Sequence, residues 1–248
     1  MKLKTLNIVC SQEELGKIPD GKTLINTINA HSFNMAQKDE AFAEALCKGD
    51  YLIPDGASIV MACKWLKAKS QPKERIAGWD LFIFEMNVLE RKGEALKAKG
   101  EACPKVMFMG SSEKVLSLIC KRAAVDYPNL EIVTYSPPYK PEFSEADNRA
   151  MIQAINETNP DLLWIGMTAP KQEKWTYQHW NELDIDCHCG TIGAVFDFYA
   201  GTVKRAPIWW QKHSLEWLYR LLMEPRRMWR RYIIGNVKFL YYICFSSN

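Results

Sequence analysis

The sequence predicts an α/β fold: a Rossmann-like, largely parallel sheet flanked by helices, followed by a helical C-terminal appendage. Short β-prone apolar runs alternate with longer segments of helical period, which is typical of parallel sheets. At 248 residues and 48% hydrophobic composition, the chain suits one sizeable core better than two. The alternation ends near residue 208, and only helical patterns follow. We therefore predict an α/β domain over residues 1–207 and an appendage over residues 208–248.

The predicted strands and helices alternate along the chain as this fold requires. Apolar runs predict strands over residues 23–28, 51–53, 106–109, 131–135, 162–165 and 187–191. Helical periodicity predicts helices over residues 34–47, 57–66, 79–91, 113–126, 145–156 and 172–183. Ser144 and Asp147 form a capping-box pattern, and Asn159-Pro160 ends the helix that follows. Glu224-Pro225 separates two helices of the appendage.

Charge is distributed unevenly along the chain. The net charge is +3, but residues 201–248 carry nine Lys and Arg against two Glu, so the first 200 residues are net negative. The same segment is rich in Trp and Tyr. A basic and aromatic segment predicts a polyanionic partner, either a membrane surface or a nucleic acid.

The composition also predicts a cellular compartment. The sequence has no signal-peptide pattern and no apolar run of the roughly 18 residues that a spanning helix needs. Its eight cysteines are scattered and include no Cys-x-x-Cys pair, so we expect reduced, mostly buried thiols. These features predict a cytosolic protein.

Polar residues that follow two predicted strands are the first candidates for a functional site. Thr27 and Asn29 lie at the end of the first strand, and Asp55 follows the second. Judged from local sequence alone, Asp55 is the N-cap of the next helix. In a parallel sheet, however, strand ends gather their side chains into one crevice, where a carboxylate can act as a general base.

Two further turns at predicted strand ends are candidate ligand contacts. Gly110-Ser111-Ser112 joins a strand to a helix, and such a turn can hold a phosphate on backbone N–H groups, although a plain tight turn explains it equally well. Lys171-Gln172-Glu173 follows another strand, and its clustered polar side chains favour a ligand role.

Motifs that suggest a metal have simpler explanations. Asp184-Ile185-Asp186 has the spacing of a divalent-metal motif, but we interpret it as a solvated connection before a strand. Cys187-His188-Cys189 suggests zinc, yet adjacent strand residues point to opposite faces, so buried thiols flanking a polar residue are expected instead. We predict no metal and no cofactor, and we assign no role to His31, His179 or His213.

Taken together, these segments resemble the WecG/TagA/CpsF family of glycosyltransferases from about residue 23 to residue 232. Seven ordered motifs carry the resemblance: Thr27-Ile28-Asn29, Pro54-Asp55-Gly56, residues 74–81 (ERIAGWDL), Pro160-Asp161-Leu162-Leu163, Pro170-Lys171-Gln172-Glu173, Arg205-Ala206-Pro207, and Glu216-Trp217-Leu218-Tyr219-Arg220 continued by Glu224-Pro225-Arg226-Arg227.

The resemblance implies an inverting, metal-independent enzyme. It would move an N-acetylmannosamine-type or related sugar from UDP to an undecaprenyl-diphosphate-linked N-acetylglucosamine in cell-envelope polymer synthesis. Asp55 would be the base, with Thr27 and Asn29 beside it. Guanidinium groups would neutralise the leaving diphosphate in place of a metal. The residues implied to close the site from the appendage are Arg220, Arg227 and Arg230, and those implied to contact substrate or nucleotide are Arg75, Gly110, Ser111, Lys171, Gln172 and Arg205.

The basic appendage is expected to dock the enzyme on the inner face of the cell membrane, because a polyprenyl-anchored acceptor never leaves the bilayer. Beyond Pro225, cations alternate with large apolar side chains: Arg226, Arg227, Arg230, Arg231 and Lys238 among Met228, Trp229, Tyr232, Ile233, Val237, Leu240 and Tyr241. Truncation after Met223 is expected to leave a folded protein that neither binds anionic vesicles nor transfers sugar. No nucleic-acid partner is predicted, and a homo-oligomer is left open.

Two other functions remain open at this point. A Rossmann-type dinucleotide oxidoreductase would share the fold, although the Gly-x-Gly-x-x-Gly fingerprint is missing. A non-catalytic adaptor would explain the basic appendage alone, but it leaves Asp55 and the Lys171–Glu173 cluster without a role.

Overall fold

The computed structural model describes residues 1–245, apart from the side chain of Arg227. Its centre is one six-stranded, wholly parallel sheet with the strand order β2-β1-β6-β5-β3-β4. Helices cover both faces, so the predicted Rossmann-like α/β class is confirmed. The strands are β1 (Thr23–Ile28), β2 (Tyr51–Pro54), β3 (Lys105–Gly110), β4 (Glu131–Tyr135), β5 (Leu162–Gly166) and β6 (His188–Thr191).

Eight α-helices accompany the sheet. They are α1 (Ala30–Ala36), α2 (Glu40–Lys48), α3 (Ala57–Trp65), α4 (Gly78–Lys97), α5 (Glu113–Asp126), α6 (Glu145–Thr158), α7 (Lys171–Gln178) and α8 (Gly193–Ala200). The C-terminal segment adds α9 (Ile208–Lys212), α10 (Glu216–Met223), α11 (Pro225–Trp229), a π-helical turn (Arg230–Ile234) and α12 (Gly235–Phe245). Within residues 1–245, no helix is long and apolar enough to cross a membrane.

All six predicted strands are confirmed, whereas several predicted helices differ from those observed. The helix predicted over residues 34–47 is two helices, because Asp39 accepts a hydrogen bond from the Phe42 N–H and caps a new helix after α1 ends. The helix predicted over residues 172–183 ends at Gln178, before a short 3₁₀ turn at Trp180–Glu182. Helix α8 was not predicted.

The core lies on both faces of the sheet because strand side chains alternate between them. In β3, Val106 and Phe108 pack into the cluster beneath α4, α5 and α8. Met107 and Met109 point the other way, toward Met151 of α6. Near-continuous burial along β3 and β5 is what strands covered on both faces require.

The appendage packs against the N-terminal part of the chain. In α12, Phe239 and Ile243 are buried in the same cluster as Phe33 of α1, and the Phe33 and Phe239 rings meet edge to face at 5.4 Å. The Asn34 side chain donates a hydrogen bond of 2.7 Å to the Gly235 carbonyl. Truncation after Met223 would expose this core, so we no longer expect the truncated protein to fold normally.

Helix α10 buries only part of its apolar side chains. Leu215, Leu218 and Leu221 are partly buried, but Leu222 and the neighbouring Met223 are exposed. The apolar face of this helix is therefore only partly packed against the rest of the protein.

Candidate active site

Asp55 lies at the carboxyl edge of the sheet, one residue beyond β2. In the pairing of β1 with β2, Thr27 is opposite Ile53 and Ile28 is opposite Pro54. The Asp55 N–H donates 2.8 Å to the Ile28 carbonyl, which fixes the residue across the end of the neighbouring strand. The structure therefore places Asp55 and Thr27 at the ends of adjacent strands, where a parallel sheet opens into its ligand crevice.

Asp55 is not the cap of helix α3. The N-cap is Gly56, and no side chain caps that helix. Among the described residues, the Asp55 carboxylate accepts no hydrogen bond. The local-sequence interpretation is therefore wrong, because the chain bends one residue later than the capping pattern suggests. A carboxylate without a structural partner is available for chemistry.

Burial raises the pKa of Asp55 to about 6, although the positive charge of Arg75 opposes the shift. The charge of Glu216 adds to the rise, and that of Arg220 lowers the pKa. A base whose pKa lies just below neutrality is ionised at pH 7 and still accepts a proton effectively.

An ion-pair cluster that links three distant segments stands beside Asp55. The Ile76 N–H donates 3.0 Å to the Pro54 carbonyl and draws the segment containing Arg75 along the end of β2. Arg75 Nη1 lies 2.9 Å from Glu216 Oε2, and Arg205 Nε lies 3.7 Å from Glu216 Oε1. Arg205 also stacks over the Trp79 ring, with 5.3 Å between the guanidinium and the ring centre. Glu216, in α10, thus holds two arginines at the crevice.

The arginines predicted in the appendage differ in where the structure places them. Arg220, also in α10, lies over the Phe198 ring at 5.0 Å and close enough to Asp55 to affect its pKa. Arg230 is exposed, and its guanidinium lies 5.4 Å from the ring of its neighbour Trp229. Arg227 is the third residue of α11, but its side chain lies outside the described residues. Of the two arginines whose side chains are described, Arg220 is the one that lies near Asp55.

Asn29 has a structural role at the same edge. Its side-chain oxygen accepts 3.0 Å hydrogen bonds from the His31 and Ser32 N–H groups, and Ser32 closes a capping box on α1. The side-chain amide of Asn29 makes no hydrogen bond among the described residues, so it is free to donate into the crevice.

Gln172 and Glu173 are buried, so neither is an open ligand contact. Gln172 is 4% exposed, and its Oε1 accepts from the Met167 and Gly193 N–H groups at 3.1 and 3.2 Å. Its amide donates 2.9 Å to Glu173 Oε1. Burial raises the pKa of Glu173 to about 7. Gln172 is expected from the sequence to contact substrate, but the structure gives it a positioning role. Its side chain joins the end of β5 to the start of α8 by hydrogen bonds.

Lys171 and the Gly110 turn lie at the same carboxyl edge. Lys171 stands over the Phe143 ring and donates to the Lys140 carbonyl, so its ammonium points toward the start of α6.

Gly110 has a φ of +126°, and a Cβ there would lie 2.3 Å from the Gly166 carbonyl oxygen. Ser111 has a φ of 57°, and its carbonyl accepts a hydrogen bond from the Ser136 hydroxyl. Close approach of β3 and β5 therefore explains Gly110 without a ligand.

The sequence did not predict two features of this edge of the sheet. Glu216 belongs to a recognised motif, but its pairing with Arg75 joins residues 141 positions apart, and no local pattern predicts that. His31, to which no role was assigned, is partly buried near the positive charge of Arg231, and its pKa is lowered to about 4 by burial first and by Arg231 second. A neutral imidazole therefore faces the appendage at the start of α1.

The aspartates of the possible metal motif lie away from this crevice. Asp184 and Asp186 are exposed and precede β6, so they lie at the opposite, amino-terminal edge of the sheet.

In the part of the chain that the structure describes, the Cys187-His188-Cys189 segment has no open ligand site. Cys187 and Cys189 are buried, and the His188 ring lies 3.0 Å from Glu85 Oε1 and 3.0 Å from the Pro19 carbonyl. The solvated connection at residues 184–186 and the buried thiols of Cys187 and Cys189 are confirmed. The prediction that most of the eight thiols are buried is wrong, because only three are. In residues 1–245, no group of three acidic, His or Cys side chains could hold a metal ion.

A buried carboxylate near two arginines, at the carboxyl edge of a parallel sheet, suits group transfer better than dinucleotide oxidoreduction. The sequence profile of the glycosyl transferase WecG/TagA/CpsF family matches residues 7–247, so the chain belongs to that family and is a glycosyltransferase. Three curated relatives carry the name N-acetylglucosaminyldiphosphoundecaprenol N-acetyl-beta-D-mannosaminyltransferase. The Bacillus subtilis protein is 29% identical over 84% of this chain and 74% of its own length. The Bacillus spizizenii protein is 31% identical over 79% and 69%, and the Staphylococcus aureus (strain MW2) protein is 29% identical over 83% and 74%.

Proposed function

We propose that this glycosyltransferase transfers an N-acetylmannosamine-type or related sugar from UDP to a polyprenyl-diphosphate-linked N-acetylglucosamine, with inversion and without a metal. The position and raised pKa of Asp55 carry the proposal, since they supply a base at the ligand edge of the sheet. The names of the relatives support the sugar and the acceptor. Synthesis of a cell-envelope polysaccharide or teichoic acid is the process that such a product would serve.

In the proposed mechanism, Asp55 removes the proton of an acceptor hydroxyl as that oxygen attacks the anomeric carbon of the donor. The bond from the anomeric carbon to the UDP oxygen breaks in the same step, and the electron pair leaves with the diphosphate. Arg75, Arg205 and Arg220 would neutralise the departing charge. The contacts of Arg75 and Arg205 with Glu216, and the charge of Arg220 near Asp55, support this role. A guanidinium contact of this kind is worth about 2 to 4 kcal/mol in the transition state.

Glu216 has a further part in this arrangement. In the absence of donor it neutralises Arg75 and Arg205, which keeps two adjacent cations from repelling each other. An arriving diphosphate competes with Glu216 for the same guanidinium groups. The arginines are thereby oriented before the donor binds, which reduces the entropy lost on binding.

A screen of UDP-sugars for turnover tests the proposal. Purified enzyme is incubated with each donor and a short-chain lipid-diphosphate N-acetylglucosamine, and released UDP is measured. UDP, unlike NAD, should also raise the melting temperature of the protein. Stabilisation by NAD alone, with no turnover of any UDP-sugar, would contradict the proposal and favour an oxidoreductase.

The rate of transfer should fall at acid pH as Asp55 becomes protonated. Because the raised pKa of Asp55 is about 6, the base is mostly ionised at pH 7 and is lost progressively as pH falls through 6. We expect kcat/KM to fall as pH is lowered through about 6. At each pH, kcat/KM is obtained from initial rates over a range of donor and acceptor concentrations. Activity that stays constant between pH 7 and pH 5 would show that no group of this pKa takes the proton.

Sugar transfer should continue after exhaustive chelation of metal ions, because guanidinium groups are proposed to neutralise the leaving diphosphate. Joint replacement of Asp184 and Asp186 with asparagine should change the rate by less than about twofold, since both side chains lie at the far edge of the sheet. Turnover is measured with and without EDTA. An enzyme inactive in EDTA and restored by manganese or magnesium would instead support a metal at the leaving group.

We also propose that the appendage docks the enzyme on the cytoplasmic face of the membrane. Helix α12 buries Phe239 and Ile243 and leaves Val237, Leu240 and Tyr241 exposed on its outer side, with Lys238 also exposed. Met228, expected at this boundary, is buried instead. An anionic bilayer suits an apolar face with neighbouring cations. The division of the chain at residue 208 remains a prediction.

A further inference from the structure

A second basic and apolar surface lies on the α/β domain and includes no residue of the appendage. On helix α3, Met61 and Trp65 are one turn apart and are 71% and 63% exposed. Lys64 is exposed between them, and the inner side of the helix buries Ile59, Ala62 and Cys63. Large apolar side chains so exposed on one helix face indicate an interaction site.

The cations of this surface come from two segments that lie side by side. The Lys69 N–H donates 2.9 Å to the Lys4 carbonyl, and the Ile8 N–H donates 3.0 Å to the Ser70 hydroxyl. These hydrogen bonds bring the N-terminal segment alongside the chain that leaves α3. Four exposed lysines result, and among the described residues none of them forms an ion pair: Lys4, Lys64, Lys67 and Lys69.

Carboxylates are missing from both segments. Residues 56–73 and residues 1–12 contain no Asp or Glu. We call Lys4, Met61, Lys64, Trp65, Lys67 and Lys69 the α3 surface. A patch that combines unpaired cations, no acid and an exposed Trp is complementary to the headgroup region of an anionic bilayer.

The position of α3 relates this surface to the base. The helix begins directly after Asp55-Gly56, so its outer face extends away from the crevice. Helices α3 and α12 also cover the same buried cluster, through Ala62 and Phe239 among others. Trp65 ends this nine-residue helix, about 13 Å along its axis from the start beside Asp55. An acceptor that is held in the bilayer by its polyprenyl chain must bring its sugar to Asp55, so a membrane contact on α3 would hold the enzyme where that acceptor is.

We propose that the α3 surface is a second membrane contact, which binds anionic lipid and helps to hold the enzyme at the bilayer. This inference rests on the proposed transfer to a lipid-linked acceptor. It differs from docking by the appendage, because it assigns part of the membrane affinity to the α/β domain.

Vesicle sedimentation with a matched pair of variants tests the proposal. The test variant is Trp65→Ser with Lys64→Gln. The control is Val125→Ser with Lys121→Gln on α5, where Val125 is 79% exposed and the same charge is removed. Full-length proteins are mixed with phosphatidylglycerol-containing vesicles and with phosphatidylcholine vesicles, at low and high salt. The test variant should bind anionic vesicles on the order of tenfold more weakly than wild type, and the control should bind as wild type does.

Transfer to a water-soluble, short-chain acceptor separates this proposal from the proposed function. Both variants should retain the wild-type rate with that acceptor, because neither changes the crevice. A wild-type enzyme that binds vesicles but transfers no sugar would contradict the function and leave the α3 surface standing. Equal vesicle binding by test variant and control, equal binding to neutral and anionic vesicles, or no binding by wild type would overturn the α3 surface.

Discussion

Replacement of Asp55 with asparagine should lower turnover by roughly 10²- to 10⁴-fold, which is the usual contribution of a general base. Asparagine has nearly the same shape but cannot accept the proton of the attacking hydroxyl. The fold should be unaffected, because the carboxylate makes no hydrogen bond among the described residues and Gly56, not Asp55, is the N-cap of α3. Initial rates of UDP release at saturating donor measure the effect.

The control for Asp55→Asn is Asp184→Asn, which makes the same chemical change at an exposed position on the opposite edge of the sheet. Its rate should stay within about twofold of wild type. The melting temperatures of both variants should match that of wild type. If Asp55→Asn turned over within about twofold of wild type, Asp55 could not be the base, since no general base is so dispensable.

Replacement of Arg220 with alanine should lower kcat by about 10²- to 10³-fold, as the loss of one preorganised donor to a developing anion does. Arg220 acts on the charge of Asp55 and lies over the Phe198 ring, so its guanidinium is held near the reacting groups. Because the contact strengthens as the diphosphate departs, the loss should appear in kcat more than in KM.

Two comparisons make the Arg220 result specific. Arg220→Lys keeps the charge but loses bidentate geometry, so its rate should fall between those of wild type and Arg220→Ala. Arg226→Ala removes an exposed cation from the next helix and should transfer sugar to the short-chain acceptor almost normally. A rise in KM with unchanged kcat in Arg220→Ala would mean that the residue binds the donor without stabilising its departure.

The strands were predictable because their apolar, β-prone residues form runs that end at turn residues. The helices were less predictable from the sequence. The break at Asp39 depends on one side chain capping α2, which periodicity alone does not reveal. Helix α8 was missed because its sequence, Gly193–Ala200, is apolar on nearly every side and carries no amphipathic pattern.

The site was predictable only in part. Asp55 could be placed at the crevice because it follows a strand of a parallel sheet. Its neighbours could not be ranked, because burial and pairing are set by packing between distant segments. Gln172 looks like a ligand contact in sequence, yet folding buries it against the Gly193 N–H. Arg75 and Glu216 are brought together only by the docking of α10.

The anomeric configuration of the product tests the central claim, which is a single displacement driven by Asp55. Wild-type enzyme is incubated in EDTA with an α-linked UDP-sugar and a short-chain lipid-diphosphate N-acetylglucosamine, and the new linkage is assigned by NMR. The account predicts a β-linked disaccharide that forms without metal and that Asp55→Asn fails to produce at a comparable rate. An α-linked product would mean that the anomeric configuration is retained, which a single in-line displacement cannot give, and it would contradict the proposed inverting mechanism.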